Sequence, residues 1–193
     1  MHWLVPFGQN KQFVGRHSQL EELFAKLDLE RSEDNCQRTA IAGIRGVGKT
    51  QIALEAAFWI QKASLDCSVF WISAMSTASF EKGFHDIGQA LQIPGINEDQ
   101  ADVKSLVKTF LSQESAGRWL LIIDNADDVE MLYSRANESD ESSGSPALAD
   151  YLPFSRKGSI LFTTQNLEAA VKQAGVNVII VKEMSEGDSQ ELL

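Results

Sequence analysis

Residues 43–50 read Gly-Ile-Arg-Gly-Val-Gly-Lys-Thr, with three glycines, a lysine and a hydroxyl within eight positions. Glycines let the backbone curl so that successive N–H groups converge on an anion, and a helix that begins at the loop adds its positive dipole end. Lys49 would reach the β- and γ-phosphates of a nucleotide, and the Thr50 hydroxyl would coordinate Mg²⁺. This G-x4-G-K-[ST] pattern, known as Walker A, predicts a phosphate-binding loop, and the alternative is a chance glycine-rich turn.

Asp124 follows the apolar stretch 119–123 and would lie at the carboxyl edge of a sheet, beside the phosphate loop. There it would hold Mg²⁺ as a Walker B aspartate does. Alone, such an aspartate is more often a turn residue or a helix cap. With the loop upstream, we predict Thr50 and Asp124 as metal ligands and Lys49 and Asp124 as catalytic residues.

Asn125 stands where a hydrolytic enzyme usually has a second acid, and an amide cannot accept a proton as a base. Asp127 and Asp128 could substitute, or they could cap a helix that begins near Val129. We therefore predict slow hydrolysis or none. The alternative is an active AAA+-like ATPase with real turnover.

A second polar cluster, 163–166 (Thr-Thr-Gln-Asn), ends another apolar stretch. Gln165 could sense the γ-phosphate through a neutral hydrogen bond. Alternatively, Asn166 simply caps a helix over 167–174 that ends at Gly175. The two interpretations are compatible.

The elements that would position these residues follow from apolar periodicity. Predicted strands cover 38–42, 68–73, 119–124, 159–164 and 177–181. They are almost continuously apolar, which is typical of strands buried on both faces of a parallel sheet. Predicted helices cover 51–62, 80–91 and 103–110. Alternating strands and helices predict a doubly wound α/β fold with helices on both faces.

The flanking segments carry weaker signals. We predict a capping box at 18–21 and a helix after it, within an N-terminal segment 1–37 that precedes the sheet. The polar, acidic stretch 134–147 predicts a mobile loop. Residues 185–193 begin a capped helix that stops abruptly, so we expect 1–193 to be a single nucleotide-binding domain from a longer receptor.

Composition excludes several classes of function. A formal net charge of -10 is the wrong sign for a surface that binds DNA or RNA, so we predict no nucleic-acid partner. No apolar run is long enough to span a membrane and no signal peptide is evident, which favours a cytoplasmic protein without a membrane partner. The two cysteines, Cys36 and Cys67, form no zinc motif and are interpreted as reduced thiols.

Taken in order, five segments resemble an NB-ARC domain of the STAND ATPases, which include NOD-like immune receptors. They are Phe-Val-Gly-Arg at 13–16, the Walker A loop, Val-Phe-Trp-Ile-Ser at 69–73, Leu-Leu-Ile-Ile-Asp-Asn-Ala-Asp-Asp at 120–128, and Gly-Ser-Ile-Leu-Phe-Thr-Thr at 158–164. The resemblance runs from about residue 6 to 193. The opening Val-Pro-Phe and the Asp-Asn-Ala-Asp-Asp stretch look most like fungal members that carry tetratricopeptide repeats.

The resemblance implies a three-layer P-loop fold with a five-stranded parallel sheet of order 5-1-4-3-2, and an adenine pocket lined by Val14 and its neighbours. It also implies an ATP/ADP switch: ADP holds a resting state, and ATP favours oligomers of the full-length receptor, which carries effector and repeat domains. The isolated chain should be a monomer. Gln165 replaces the family's usual arginine, and the family's downstream Gly-Leu-Pro-Leu and Met-His-Asp segments are absent. The predicted nucleotide-binding residues are Phe13, Val14, Arg16, Gly43, Arg45, Gly46, Val47, Gly48, Lys49, Thr50, Gln51 and Gln165.

Overall fold

Six parallel strands form one sheet in the computed structural model, which describes residues 1–27, 36–135 and 146–183. The strands are β1 (Trp3–Leu4), β2 (Gln37–Ala42), β3 (Ser68–Ser73), β4 (Trp119–Asp124), β5 (Gly158–Thr164) and β6 (Val178–Ile180). Their spatial order is β1-β3-β4-β5-β2-β6. For the five predicted strands this is the expected order, with β5 between β2 and β4. The carboxyl ends of these three neighbouring strands therefore lie side by side.

The prediction of five strands was wrong by one. Trp3–Leu4 pairs with β3, in the register Trp3 to Val69, within the segment that we expected to precede the sheet. The Trp3 ring packs against that of Phe58, with 5.0 Å between the centroids. A strand of two residues is too short to produce a period-two pattern, so the sequence carried no signal for it.

Six helices connect the strands within the residues that the structure describes. They are α1 (His17–Lys26), α2 (Lys49–Ala63), α3 (Thr77–Ala90), α4 (Val103–Leu111), α5 (Val129–Tyr133) and α6 (Leu167–Ala174). Short 3₁₀ turns cover Glu114–Ala116 and Leu148–Tyr151. None of the helices in the described ranges is both long and apolar enough to cross a bilayer.

Each face of the sheet has its own apolar core, because successive side chains along a strand point to opposite faces. In β4, Leu121 and Ile123 face the core that α3, α4 and α6 cover. Leu120 and Ile122 face the other core, with α1 and α2. This confirms the predicted three-layer arrangement. Both cysteines are buried and free, and burial raises the pKa of the Cys67 thiol to about 12.

The start of α1 differs from the prediction. The helix begins at His17, so Ser18 lies inside it, and the Ser18 hydroxyl donates to the Gln19 side chain instead of capping. Arg16 is the residue before the helix, in a left-handed conformation and without a side-chain cap. Two other predictions fall largely or wholly outside the described residues: the loop over 134–147, apart from 134–135 and 146–147, and the helix from residue 185.

Candidate functional site

The phosphate loop joins the carboxyl end of β2 to the first turn of α2, as the Walker A mechanism requires. Gly46 and Gly48 have positive φ angles of 81° and 94°, a conformation that side chains other than glycine rarely adopt. Gly43 meets a different constraint, since a Cβ there would lie 2.3 Å from the carbonyl oxygen of Val181. Glycine is therefore required at all three positions, for two different physical reasons.

The Lys49 side chain folds back over the loop. Its Nζ donates to the carbonyl oxygens of Gly43 at 2.8 Å and Ile44 at 2.9 Å. Burial lowers the pKa of the ammonium group, while the nearby carboxylates of Asp127 and Asp124 oppose that change. Lys49 thus holds a cation against the carbonyl groups of the loop and near the acidic end of β4.

Asp124 ends β4 and is almost fully buried, with 4% of its surface exposed. Its Oδ1 accepts from the hydroxyls of Thr50 at 3.0 Å and Thr163 at 2.5 Å, and its Oδ2 accepts from the Asn125 amide at 3.2 Å. Burial raises the pKa of the carboxyl, the bonds from Thr163 and Thr50 lower it, and the charge of Asp127 raises it further. The two predicted metal ligands, Thr50 and Asp124, are therefore in direct contact.

The loop after Asp124 is held in a defined shape. Asn125 has a left-handed φ of 60°, and its backbone N–H donates to the Thr163 hydroxyl at 3.0 Å. Ala126 donates its N–H to the Thr163 carbonyl at 2.8 Å and accepts from the buried Gln173 side chain at 2.8 Å. In this loop shape the Asn125 side-chain amide donates to the Asp124 carboxylate and so helps to orient it.

The two acids that follow have separate roles. The Asp128 carboxylate accepts from the Met131 backbone N–H at 2.8 Å, which confirms the predicted helix cap. The Asp127 Oδ1 instead accepts from the Thr164 hydroxyl at 2.9 Å and from the Gln165 backbone N–H at 2.6 Å. Asp127 therefore ties the loop after β4 to the end of β5.

Asn166 caps α6, because its Oδ1 accepts from the backbone N–H groups of Glu168 and Ala169 at 2.9 and 3.3 Å. The helix ends at Ala174, and Gly175, which follows it as predicted, has a positive φ of 60°. The capping role of Asn166 is confirmed. Gln165 is exposed and borders the larger of two adjoining cavities, so the compatible sensor role stays a prediction.

The larger cavity, of about 440 Å³, opens above the phosphate loop and between the ends of the strands. Its lining residues are Arg45, Gly46, Gly48, Lys49, Thr50, Gln51, Ala74, Met75, Asn125, Asp127, Asp128 and Gln165. A cavity of this size is within the range of small-ligand sites.

A smaller cavity, of about 190 Å³, adjoins the other side of the same loop. Its lining residues are Asn10, Gln12, Phe13, Val14, Arg16, Gly46, Val47, Gly48 and Gln51. Phe13, Val14 and Arg16, predicted to line an adenine pocket, are thus brought beside the phosphate loop. Gly46, Gly48 and Gln51 border both cavities.

Several lining residues were not predicted. Asn10 and Gln12 lie in a segment that reads as an ordinary loop, and Ala74 and Met75 simply follow β3. No local motif marks them. The contact of Thr163 with Asp124 was not predicted either, although Thr163 lines neither cavity. A signal for it was available, because a hydroxyl at the end of a buried strand beside the Walker B strand has few polar partners other than Asp124.

The family model of the AAA domain matches residues 31–144, more than half of the chain. A nucleotide-binding leucine-rich repeat (NLR)-like protein of Hyaloscypha variabilis is 60% identical over all 193 residues. The chain spans only 20% of the length of that relative. These matches confirm the relationship to NLR-like proteins and are consistent with the predicted NB-ARC type of nucleotide-binding domain.

Solved structures with a similar fold are more distant in sequence. The Cdc6p protein of Pyrobaculum aerophilum is 16% identical, with a TM-score of 0.65 over 97% of this chain and 52% of its own. The Drosophila ORC bound to DNA is 14% identical, with a TM-score of 0.64 over 98% of this chain and 47% of that one. At this identity the likeness establishes the P-loop α/β fold alone.

Proposed function

The chain belongs to the AAA domain family, and from this membership and the geometry of residues 43–50 we propose that it binds ATP or ADP together with Mg²⁺. We further propose that it acts as a molecular switch with slow hydrolysis or none. The observation that carries the proposal is the convergence of three groups: the curled loop, the Lys49 ammonium and the paired side chains of Thr50 and Asp124.

The loop supplies what a diphosphate needs. Its backbone is preset by glycines, and α2 begins at Lys49, so the helix dipole points at the same place. The Lys49 ammonium bonds only to backbone carbonyls among the described residues, and phosphate oxygens are stronger, charged acceptors for it. The net charge of -10 does not oppose this, because the positive potential is local.

The residues present also fit Mg²⁺. The described residues contain no group of three or more His, Cys, Asp or Glu side chains that could hold a metal ion. Mg²⁺ does not need one, because it is usually held by one or two protein oxygens, phosphate oxygens and water. Thr50 and Asp124 would supply those protein oxygens, and the ion would neutralise phosphate charge when bound.

Slow hydrolysis is supported by the groups around Asp124. Asn125 cannot take a proton, and its amide is committed to Asp124. Asp127 accepts two hydrogen bonds on one oxygen, which orients it towards the end of β5. A switch needs contacts that differ between ATP and ADP, and Gln165 at the cavity rim is the candidate in this chain.

The identity to an NLR-like protein supports the place of this module in a longer signalling receptor. We propose that the full-length protein self-oligomerises, that the isolated chain is a monomer, and that the protein is cytoplasmic. The DNA in the Drosophila ORC structure belongs to that complex. For this chain the formal net charge of -10 supports binding to a nucleotide rather than to a nucleic acid.

The alternative function is an ATPase with real turnover, and two observations favour it: the match to the AAA domain family and the position of Asp127 at the larger cavity. Turnover above ~1 s⁻¹ would support this alternative. The release of phosphate from ATP, measured with the chain at several concentrations, distinguishes this ATPase from the proposed switch.

Mass spectrometry of the small molecules released from purified chain tests the proposed ligand. We expect ADP or ATP, and we expect ADP with Mg²⁺ to raise the melting temperature more than GDP does. Recovery of a guanine nucleotide would be compatible with phosphate binding at the loop but would overturn the assignment of adenine as the base.

A further inference from the structure

Arg16 is a buried charged residue with an unusual backbone. It is 8% exposed, and Gly15 and Arg16 both have positive φ angles, of 71° and 60°. Positive φ is uncommon for an arginine and persists only where the surrounding contacts enforce it. The two successive left-handed residues turn the chain just before α1 and direct the Arg16 side chain inward.

The guanidinium group joins two distant parts of the chain. One terminal nitrogen donates to the Val47 carbonyl oxygen at 3.0 Å, and the other donates to the Lys182 carbonyl oxygen at 2.7 Å. Val47 lies within the phosphate loop, whereas Lys182 lies just after β6. The rigid fork of arginine can hold two acceptors at once in a way that the single ammonium of lysine cannot.

The same two segments also touch directly. The Val181 backbone N–H donates to the Ala42 carbonyl at 2.7 Å, at the end of the strand that leads into the loop. The Val181 carbonyl lies so close to Gly43 that no side chain fits between them. The chain that leaves β6 therefore packs on the start of the phosphate loop, and Arg16 connects it to the middle of that loop.

Arg16 also contributes charge. Within the described ranges no carboxylate lies within 4.0 Å of the guanidinium group, so its positive charge is not neutralised by an ion pair there. A buried cation without an anionic partner is unfavourable, and an anion bound nearby relieves that cost. The phosphate loop is the adjacent place where such an anion would bind.

We propose that Arg16 is a positioning residue that acts through Val47 rather than a ligand of the base, and that it couples the phosphate loop to residues 181–183. The proposal rests on the proposed binding of ADP with Mg²⁺ at the loop. A nucleotide that orders the loop would therefore, through Arg16, also order residues 181–183, the segment that follows β6.

The experiment compares wild type, Arg16→Lys and Arg16→Met by calorimetry with ADP and Mg²⁺, and by hydrogen exchange at the Val181 amide. Both variants should bind ADP about tenfold or more weakly, since each loses at least one charge-assisted hydrogen bond, and Arg16→Met should lose more. In wild type, ADP should slow exchange at Val181. In the variants that slowing should be lost.

Trp119→Phe is the matched control, because the Trp119 indole also makes a buried bond to a backbone carbonyl, that of Leu111 at 2.9 Å, but at the far end of β4. It should reduce stability while keeping ADP affinity and the slowing at Val181. Arg16→Lys retains the charge and most of the side chain, which keeps the test informative if Arg16→Met fails to fold. Unchanged affinity in Arg16→Lys, or preserved slowing at Val181, would overturn the inference, whereas a wild type that binds no ADP would overturn the proposed function itself.

Discussion

The hydroxyl of Thr50 lies 3.0 Å from Oδ1 of Asp124, although the two residues are 74 positions apart in the chain. Thr50 is in the first turn of α2 and Asp124 is the last residue of β4. They meet because β5 places β2 and β4 only one strand apart, with all three strands ending at the same edge. The contact brings together the two side chains that the proposed function assigns to Mg²⁺.

That contact predicts a metal-dependent phenotype. Thr50→Val keeps the shape of the side chain but removes the hydroxyl, so the gain in ADP affinity on adding Mg²⁺ should fall at least ~10-fold. Affinity for ADP in EDTA should change little. Calorimetry with and without Mg²⁺ measures both quantities, and an unaltered Mg²⁺ effect would exclude Thr50 as a ligand.

The buried carboxyl of Asp124 predicts a pH dependence of stability. Burial raises its pKa above the ordinary value of 3.8, so the folded chain holds this proton to a higher pH than the unfolded chain does. The contribution of Asp124 to the free energy of unfolding therefore falls as pH rises from about 3.8 to the raised pKa. Asp124→Asn should gain stability relative to wild type across that window and lose Mg²⁺-dependent binding. Urea unfolding from pH 4 to 7 is the measurement; a difference that shrinks with rising pH would contradict this prediction.

Gly43→Ala should destabilise the chain by about 1–3 kcal/mol, since its Cβ would overlap the Val181 carbonyl and force the backbone apart. Gly8→Ala is the matched control, because nothing lies within 4 Å of a Cβ at that position. Chemical denaturation of the two variants gives the comparison. Equal stabilities would mean that the segment after β6 does not pack on the loop as described.

Asp127→Asn distinguishes a positioning role from a catalytic one. The amide oxygen can still accept from Thr164 and Gln165, so we expect turnover to change by less than ~10-fold. A general base would contribute about 10²–10⁴-fold. A loss of that size in phosphate release would show that Asp127 is the base and would favour the ATPase alternative.

Much of this fold could be predicted because its strands are long, continuously apolar and bounded by clear signals. The predicted limits of β3 and β4 agree with the structure at both ends. The Walker A loop and Asp124 could be placed for the same reason, since each sits at a strand end. The order of the strands came from the resemblance, and the structure bears it out.

What the sequence did not reveal depends on contacts across the fold. The Arg16 side chain bonds to residues 31 and 166 positions away, and nothing in its neighbours signals either partner. The spacing of Ser18 to Glu21 fits a capping box and predicts Ser18 as the cap, whereas the left-handed turn at Arg16 starts α1 two residues earlier. The link from Asp127 to the end of β5 likewise appears only when the sheet is assembled.

The proposed function depends above all on the binding of a nucleotide diphosphate by the ammonium of Lys49 and the loop around it. Calorimetry with ADP and Mg²⁺ on wild type, Lys49→Ala and Lys82→Ala tests it most directly, because Lys82 is an exposed lysine of α3 paired with Asp86 at 2.6 Å, away from the loop. Wild type and Lys82→Ala should bind with the same affinity, and Lys49→Ala should lose binding by ~100-fold or more, as expected when a charged hydrogen-bond donor to phosphate is removed. Absence of binding to wild type, or equal binding to all three proteins, would contradict the account.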